Sequence, residues 1–164
     1  MGFGQNTMLV DDKASNGPPR VVTDGVKMTL FDVSDLRNPK EKFTEIIGGR
    51  GTYSPLNYDH KALLFNKNKN LFAFPISVYR NKAGSEYEQI FEFQGAYIYN
   101  LDLQKGFTLK SKITHEMKRD QYEKWENGIQ RLVYIDEIIY ALSPNQISAH
   151  DLNSNVQLAQ LSFQ

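Results

Sequence analysis

Apolar residues along this chain fall in short runs of five to eight positions, broken by clusters of Asn, Asp, Gly, Ser and Pro. The runs are Val26–Val33, Phe43–Ile47, Lys61–Phe65, Leu71–Val78, Ala96–Leu101, Phe107–Ile113, Arg131–Ile135, Glu137–Leu142, Gln146–Leu152 and Val156–Phe163. Ten short runs with frequent turn signals predict an all-β chain: a sandwich, a barrel or a radial array of sheets. Residues 11–25 are polar and rich in breakers, which predicts a loop. Asn66–Asn70 reads as a hairpin loop and Ile135-Asp136-Glu137-Ile138 as a tight hairpin, with further turns at Ser143-Pro144-Asn145 and Asn153-Ser154-Asn155. Pro75 lacks an N–H for a sheet ladder, so its run needs an edge position or a bulge there.

The patterning also differs between runs. Phe107–Ile113 alternates, with Phe107, Leu109 and Ile113 predicted on one face and water on the other. Ala62–Phe65 and Leu71–Phe74 are continuously apolar, as strands covered on both faces should be. Covered inner strands with a half-exposed outer strand suit both a sandwich and a propeller blade. A repeat favours the propeller. Leu30-Phe31-Asp32-Val33, Ile98-Tyr99-Asn100-Leu101 and Ala149-His150-Asp151-Leu152 each end a strand with Asp or Asn and an aliphatic, before a turn that such a side chain can bond. A second hairpin precedes the later two copies, so the unit is four strands. The expectation is an all-β partial β-propeller of about two and a half four-stranded antiparallel blades. Residues 1–50 make the partial blade, with a remnant strand near Gly2–Thr7, and 51–114 and 115–164 make the next two. Tyr79–Gln94 reads as an insertion, and His115–Gly128 as a charged segment with a short helix ending at Asn127-Gly128.

Composition agrees and removes some functions. Ten Phe, nine Tyr and one Trp among 164 residues favour strands. With 19 basic and 19 acidic residues the formal charge is zero, which argues against a nucleic-acid partner. No apolar run is long enough to span a membrane, and the first residues do not read as a signal peptide. Without Cys there is no disulfide, thiolate metal ligand or Cys nucleophile.

Met28–Asp35 with Asn38-Pro39, Gly51–Ser54, Tyr58-Asp59-His60-Lys61-Ala62, Leu71–Pro75 and Gln94–Tyr99 together resemble a bacterial and archaeal β-propeller family distantly related to WD-repeat propellers. The Tyr-Asp-His-Lys-Ala stretch is the most specific part, and the resemblance extends from Gly2 to Phe163. It implies a C-terminal piece of a longer propeller that is exported or held at the cell envelope, and it brings no reaction with it.

Few residues suggest chemistry. Asp59-His60 pairs a carboxylate with an imidazole, as a general base would require, yet neighbours on an extended chain point to opposite faces. A structural role bonding backbone between blades is the stronger reading. His115 and His150 lack metal-ligand spacing, and Asp11-Asp12 with Asn16-Gly17 misses the calcium-loop pattern. Gly48-Gly49-Arg50-Gly51 lacks the Lys-Ser/Thr of a phosphate loop and reads as a connection between blades. Tyr122 and Trp125 offer a partner surface, although a Trp packed back on the sheet is the favoured reading. The sequence therefore points to a binding or scaffolding module without catalytic residues, metal or cofactor. Its unidentified protein partner or ligand would sit near Arg50, Tyr58, Asp59 and His60. Self-association through open blade edges is also expected. The rival is a hydrolase-like or metal-dependent enzyme with its site at Asp59 and His60.

Overall fold

A computed structural model describes residues 1–11, 17–85, 88–116 and 122–163. Among these lie eleven strands and three single 3-10 turns. The strands are β1 (Gly2–Val10), β2 (Arg20–Asp32), β3 (Lys40–Ile47), β4 (Leu64–Asn66), β5 (Leu71–Asn81), β6 (Gln89–Asp102), β7 (Gly106–Ile113), β8 (Arg131–Ile135), β9 (Ile138–Leu142), β10 (Gln146–Asp151) and β11 (Gln157–Ser162). They form three antiparallel meanders: β1-β2-β3, β4-β5-β6-β7 and β8-β9-β10-β11. The ten expected strands are all present. β1 is the eleventh, and it is a full strand rather than a remnant, pairing with β2 from Gly2↔Thr29 to Val10↔Arg20. β2 thus begins inside the stretch expected as loop, while residues 12–16 lie outside the described residues.

Two compact units divide the chain. One holds Met1–Tyr53 and Val78–Glu92, the other Ser54–Ser77 and Phe93–Gln164. In the first, β2 is buried almost continuously around Val26, Met28 and Leu30, as the centre of a three-stranded sheet should be. In the second, the two four-stranded sheets stack face to face. Leu64, Leu71, Ala73, Ala96, Ile98 and Ile113 meet Ile129, Leu132, Ile139, Ala141 and Leu152 in one apolar layer. Three members of this layer, Ala73, Ala96 and Ala141, are small and fully buried.

Alternation places the aromatic residues of β5 and β6 on the other face of their sheet. Phe72 stacks on Tyr99 at 5.3 Å and Phe74 on Tyr99 at 6.1 Å, while Phe107 meets Phe72 edge-on at 5.9 Å. Leu71 to Val78 is buried throughout, which bears out the reading of that run as covered on both sides. Ala62–Phe65 departs from it. Ala62 belongs to a 3-10 turn, and Phe65, in the three-residue edge strand β4, is exposed. That brevity also accommodates Pro75. β4 pairs no further along β5 than Ala73, so the proline faces no β4 ladder, and its carbonyl accepts the Ser54 hydroxyl at 2.6 Å.

Each repeat marks one recurring feature, a bulge in the last strand of its sheet. Register slips between Leu30 and Phe31, between Ile98 and Tyr99, and between Ala149 and His150. The unpaired residues opposite are Lys42, Lys110 and Leu158. The β7 bulge corrects the expected alternation. Leu109 pairs with Tyr99 and Ile113 with Ala96, so these two odd-numbered residues lie on opposite faces. The turn carboxylates behave as anticipated at Asp32, which accepts the Ser34 N–H, and at Asp151, which accepts those of Asn153 and Ser154. In the middle copy Asp102, rather than Asn100, does this for Gln104 and Lys105.

Two segments that break the repeat take a definite form. The insertion expected at Tyr79–Gln94 is, in its described parts, a lengthening of β5 and β6 into a long hairpin; residues 86–87 lie outside the described set. Tyr79 packs on Phe91 at 5.5 Å and Arg80 pairs with Glu92 at 3.3 Å, which explains the aromatic and charged character of that stretch. The expected helix within His115–Gly128 is, where described, only the 3-10 turn Trp125–Asn127; residues 117–121 lie outside the described set. Gly128 has φ −64°, so no left-handed cap operates there, and Trp125 is 75% exposed rather than packed on a sheet.

Candidate functional site

The four expected binding residues fall in both units. Arg50 belongs to the first, and Tyr58, Asp59 and His60 to the second. The Arg50 turn follows from its glycines. Gly48 and Gly51 have φ of 68° and 87°, and a Cβ on Gly48 would lie 2.1 Å from the Thr52 hydroxyl. That hydroxyl donates to the Tyr79 carbonyl at 3.0 Å and accepts the Tyr79 N–H at 2.9 Å, tying the turn to β5. The Arg50 N–H donates to Asn81 Oδ1 at 3.0 Å, and Asn81 Nδ2 donates to Asp24 Oδ1 at 3.0 Å. Beside this polar wall lies a cleft of about 340 Å³, lined by Arg50, Asp24 and Asn81 on one side and Met8, Leu9 and Val10 on another.

In the second unit Ser54 caps the turn Pro55–Asn57, accepting the Leu56 N–H, and Asp59 caps the turn His60–Ala62, accepting the Lys61 N–H at 2.9 Å. The other Asp59 oxygen accepts Arg131 Nη2 at 2.5 Å. The Arg131 hydrogen bond, then the Lys61 N–H, hold the Asp59 carboxyl below its ordinary range. Asp59 is therefore committed to β8 and to its own turn, while Tyr58 and His60 are exposed at the surface.

Sequence reasoning missed a different polar cluster, buried in the second unit. His115 Nε2 and His150 Nε2 each lie 2.8 Å from the Ser148 hydroxyl, and His115 Nδ1 lies 2.8 Å from that of Ser143. The proton directions follow from one end. Ser143 donates to Asn145 Oδ1 at 2.8 Å, so it accepts from His115 Nδ1–H. In the neutral ring, which burial favours, His115 Nε2 is the acceptor, taking the Ser148 proton, and Ser148 in turn can accept from His150 Nε2–H. Burial pushes His115 down to about 4, with repulsion from His150 adding to it, and burial lowers His150 as well. Ser148 beside an imidazole is a nucleophile–base pairing in outline. It is only 1% exposed, which gives a substrate no path to its hydroxyl. The signal for half of this cluster was present: on β10, Ser148 and His150 are two apart and share a face. Among the described residues, no three His, Asp or Glu side chains converge as a metal site.

Residues 1–155 match the Beta propeller domain family. An uncharacterized protein of Archaeoglobus fulgidus is 27% identical over 163 residues, which cover 99% of this chain and 21% of that protein. The chain thus spans about a fifth of the length of the relative it matches. No solved structure matches it significantly. Antiparallel meanders of three and four strands, a bulge repeated in each, and a match over nearly the whole length place the chain in the β-propeller domain family.

Proposed function

We propose that this chain is a binding or scaffolding part of an exported or cell-envelope protein, without catalysis of its own. The observation carrying this reading is how the reactive side chains are used. Asp59 is held by Arg131 and by the turn it caps, and the Ser148–histidine chain is sealed from solvent. What stays accessible is recognition chemistry: the mixed polar and apolar cleft at Arg50 and the exposed Tyr58, Tyr122 and Trp125. Export rests on the resemblance described above. No helix among the described residues is long and apolar enough to cross a membrane.

A thermal-shift screen of the chain against divalent metals, glycans and peptides tests the proposal. A ligand that raises Tm for the wild type, and loses that effect in Arg50→Ala, supports binding at the cleft. Ligands that act equally on both proteins place recognition elsewhere, and a turnover abolished by His60→Ala in a protein of unchanged Tm establishes the enzyme reading instead.

A further inference from the structure

The three repeat bulges sit at equivalent places in β3, β7 and β11, each the last strand of its sheet, yet they carry different residues. Lys42 and Lys110 occupy the first two, and Leu158 the third. A lysine on the outer strand is a common device against edge-to-edge pairing, because a second strand would have to bury or crowd its ammonium group. The rest of each strand follows the same division. β3 carries Lys40, Glu41 and Glu45 besides Lys42, and β7 carries Lys112 besides Lys110. β11, Gln-Leu-Ala-Gln-Leu-Ser, carries no charge and no proline, and all six residues are exposed.

β11 has β10 on one side and no neighbouring strand on the other among the described residues. Its polar side chains are already engaged within the sheet. Gln160 Nε2 donates to Gln146 Oε1 at 2.6 Å and to the Ser162 hydroxyl at 3.3 Å, and Gln157 donates to Gln160 at 3.0 Å. The free edge therefore offers backbone groups flanked by Leu158 and Leu161, with Val156 and Phe163 just beyond the strand, all about half exposed or more. The order Val-Gln-Leu-Ala-Gln-Leu-Ser-Phe also matches its own reverse in polarity at three of its four pairs, the exception being Ala159 against Gln160 at the centre. Laid antiparallel on itself, it sets Val156 against Phe163, Gln157 against Ser162 and Leu158 against Leu161. β1 is another uncharged edge, but five of its nine residues are partly covered, and it lacks this symmetry.

We propose that β11 is a strand-pairing edge whose occupant is β11 of a second copy of this chain, joining two four-stranded sheets antiparallel about a two-fold axis. The interface is small, so the association is weak and depends on concentration. This specifies the edge in the self-association expected from sequence and is independent of the ligand reading at Arg50.

Sedimentation velocity of the whole chain over a roughly hundredfold concentration range reads the outcome. The wild type is expected to pass from monomer to dimer. Leu158→Lys, which gives β11 the residue of the other two bulges, should raise the dissociation constant by at least about tenfold. Leu158 is 55% exposed, so the monomer should keep its Tm and far-UV circular dichroism. Two controls hold the idea to this edge: Val133→Lys on β8, at the opposite edge of the same sheet, and Leu9→Lys on β1 should both dimerise as wild type does. A wild type that stays monomeric throughout overturns the proposal. So does a Leu158→Lys protein that dimerises normally, and so does a dimer broken by Val133→Lys or Leu9→Lys instead.

Discussion

Mild acid should loosen the second unit through His115. The ring is 4% exposed, with each nitrogen bonded to a serine hydroxyl, Ser143 at Nδ1 and Ser148 at Nε2. Adding a proton turns Nε2 into a donor facing the Ser148 hydroxyl, which can already accept a hydrogen bond from His150. It also places a cation beside a second histidine. The folded ring holds its proton only below about 4, against an ordinary value of 6.5. Between these values the unfolded chain binds a proton that the folded chain refuses, so stability is complete above about pH 6.5 and falls as pH drops toward 4. The difference removes about 2 kcal/mol at pH 5 and about 3 kcal/mol at pH 4 from this residue alone. His150, also lowered by burial, acts in the same direction. The carboxyls of Asp32, Glu41, Asp59, Glu137 and Asp151 are held below their ordinary values, so their contribution is lost only at lower pH, from about 4.5 downward. About pH 5 is therefore where the histidine effect stands alone. Urea unfolding followed by far-UV circular dichroism measures it; Trp125 is too exposed to report on burial by fluorescence. A domain of this size should lose about 4–8 °C in Tm between pH 7 and pH 5. His115→Gln should be less stable at pH 7 but much flatter with pH. Equal stability at the two pH values, or an unchanged slope in the Gln variant, refutes the reasoning.

Two other perturbations follow from the same contacts. Gly95 lies where a Cβ would meet the Ile113 carbonyl oxygen at 2.0 Å and the Phe93 ring at 2.6 Å, so Gly95→Ala should cost about 1–3 kcal/mol, seen as a lower urea midpoint. Gly95→Ser should cost no less. Asp59→Asn should lower Tm more than His60→Ala, because Asp59 joins its turn to Arg131 while His60 stands exposed; the opposite ranking in a thermal melt would return His60 to a structural role.

The architecture was legible in the chain because strands and turns are written in local chemistry. Short apolar runs and Asn or Asp at the turns anticipated ten of the strands, and Asn70, Asp136 and Asn155 take up the positive φ angles such turns require. β1 was harder to read, since Gly2-Phe3-Gly4-Gln5-Asn6 has little apolar patterning and is ordered by its ladder to β2. Periodicity failed at β7 because one unpaired residue reverses the faces beyond it, and nothing in Lys110 itself announces that slip. Of the site, the sequence could bring Asp59 and His60 to attention only as neighbours along the chain. That Asp59 turns to Arg131, 72 positions on, is decided by tertiary packing. The same holds for the buried serine–histidine chain, where Ser148 and His150 share a strand face by their spacing but His115 arrives from another sheet's end. Local pattern determines which residues form strands, because alternation and turn propensity act over a few residues. Which polar groups lose water together depends on how the sheets stack, and that decides their partners and protonation.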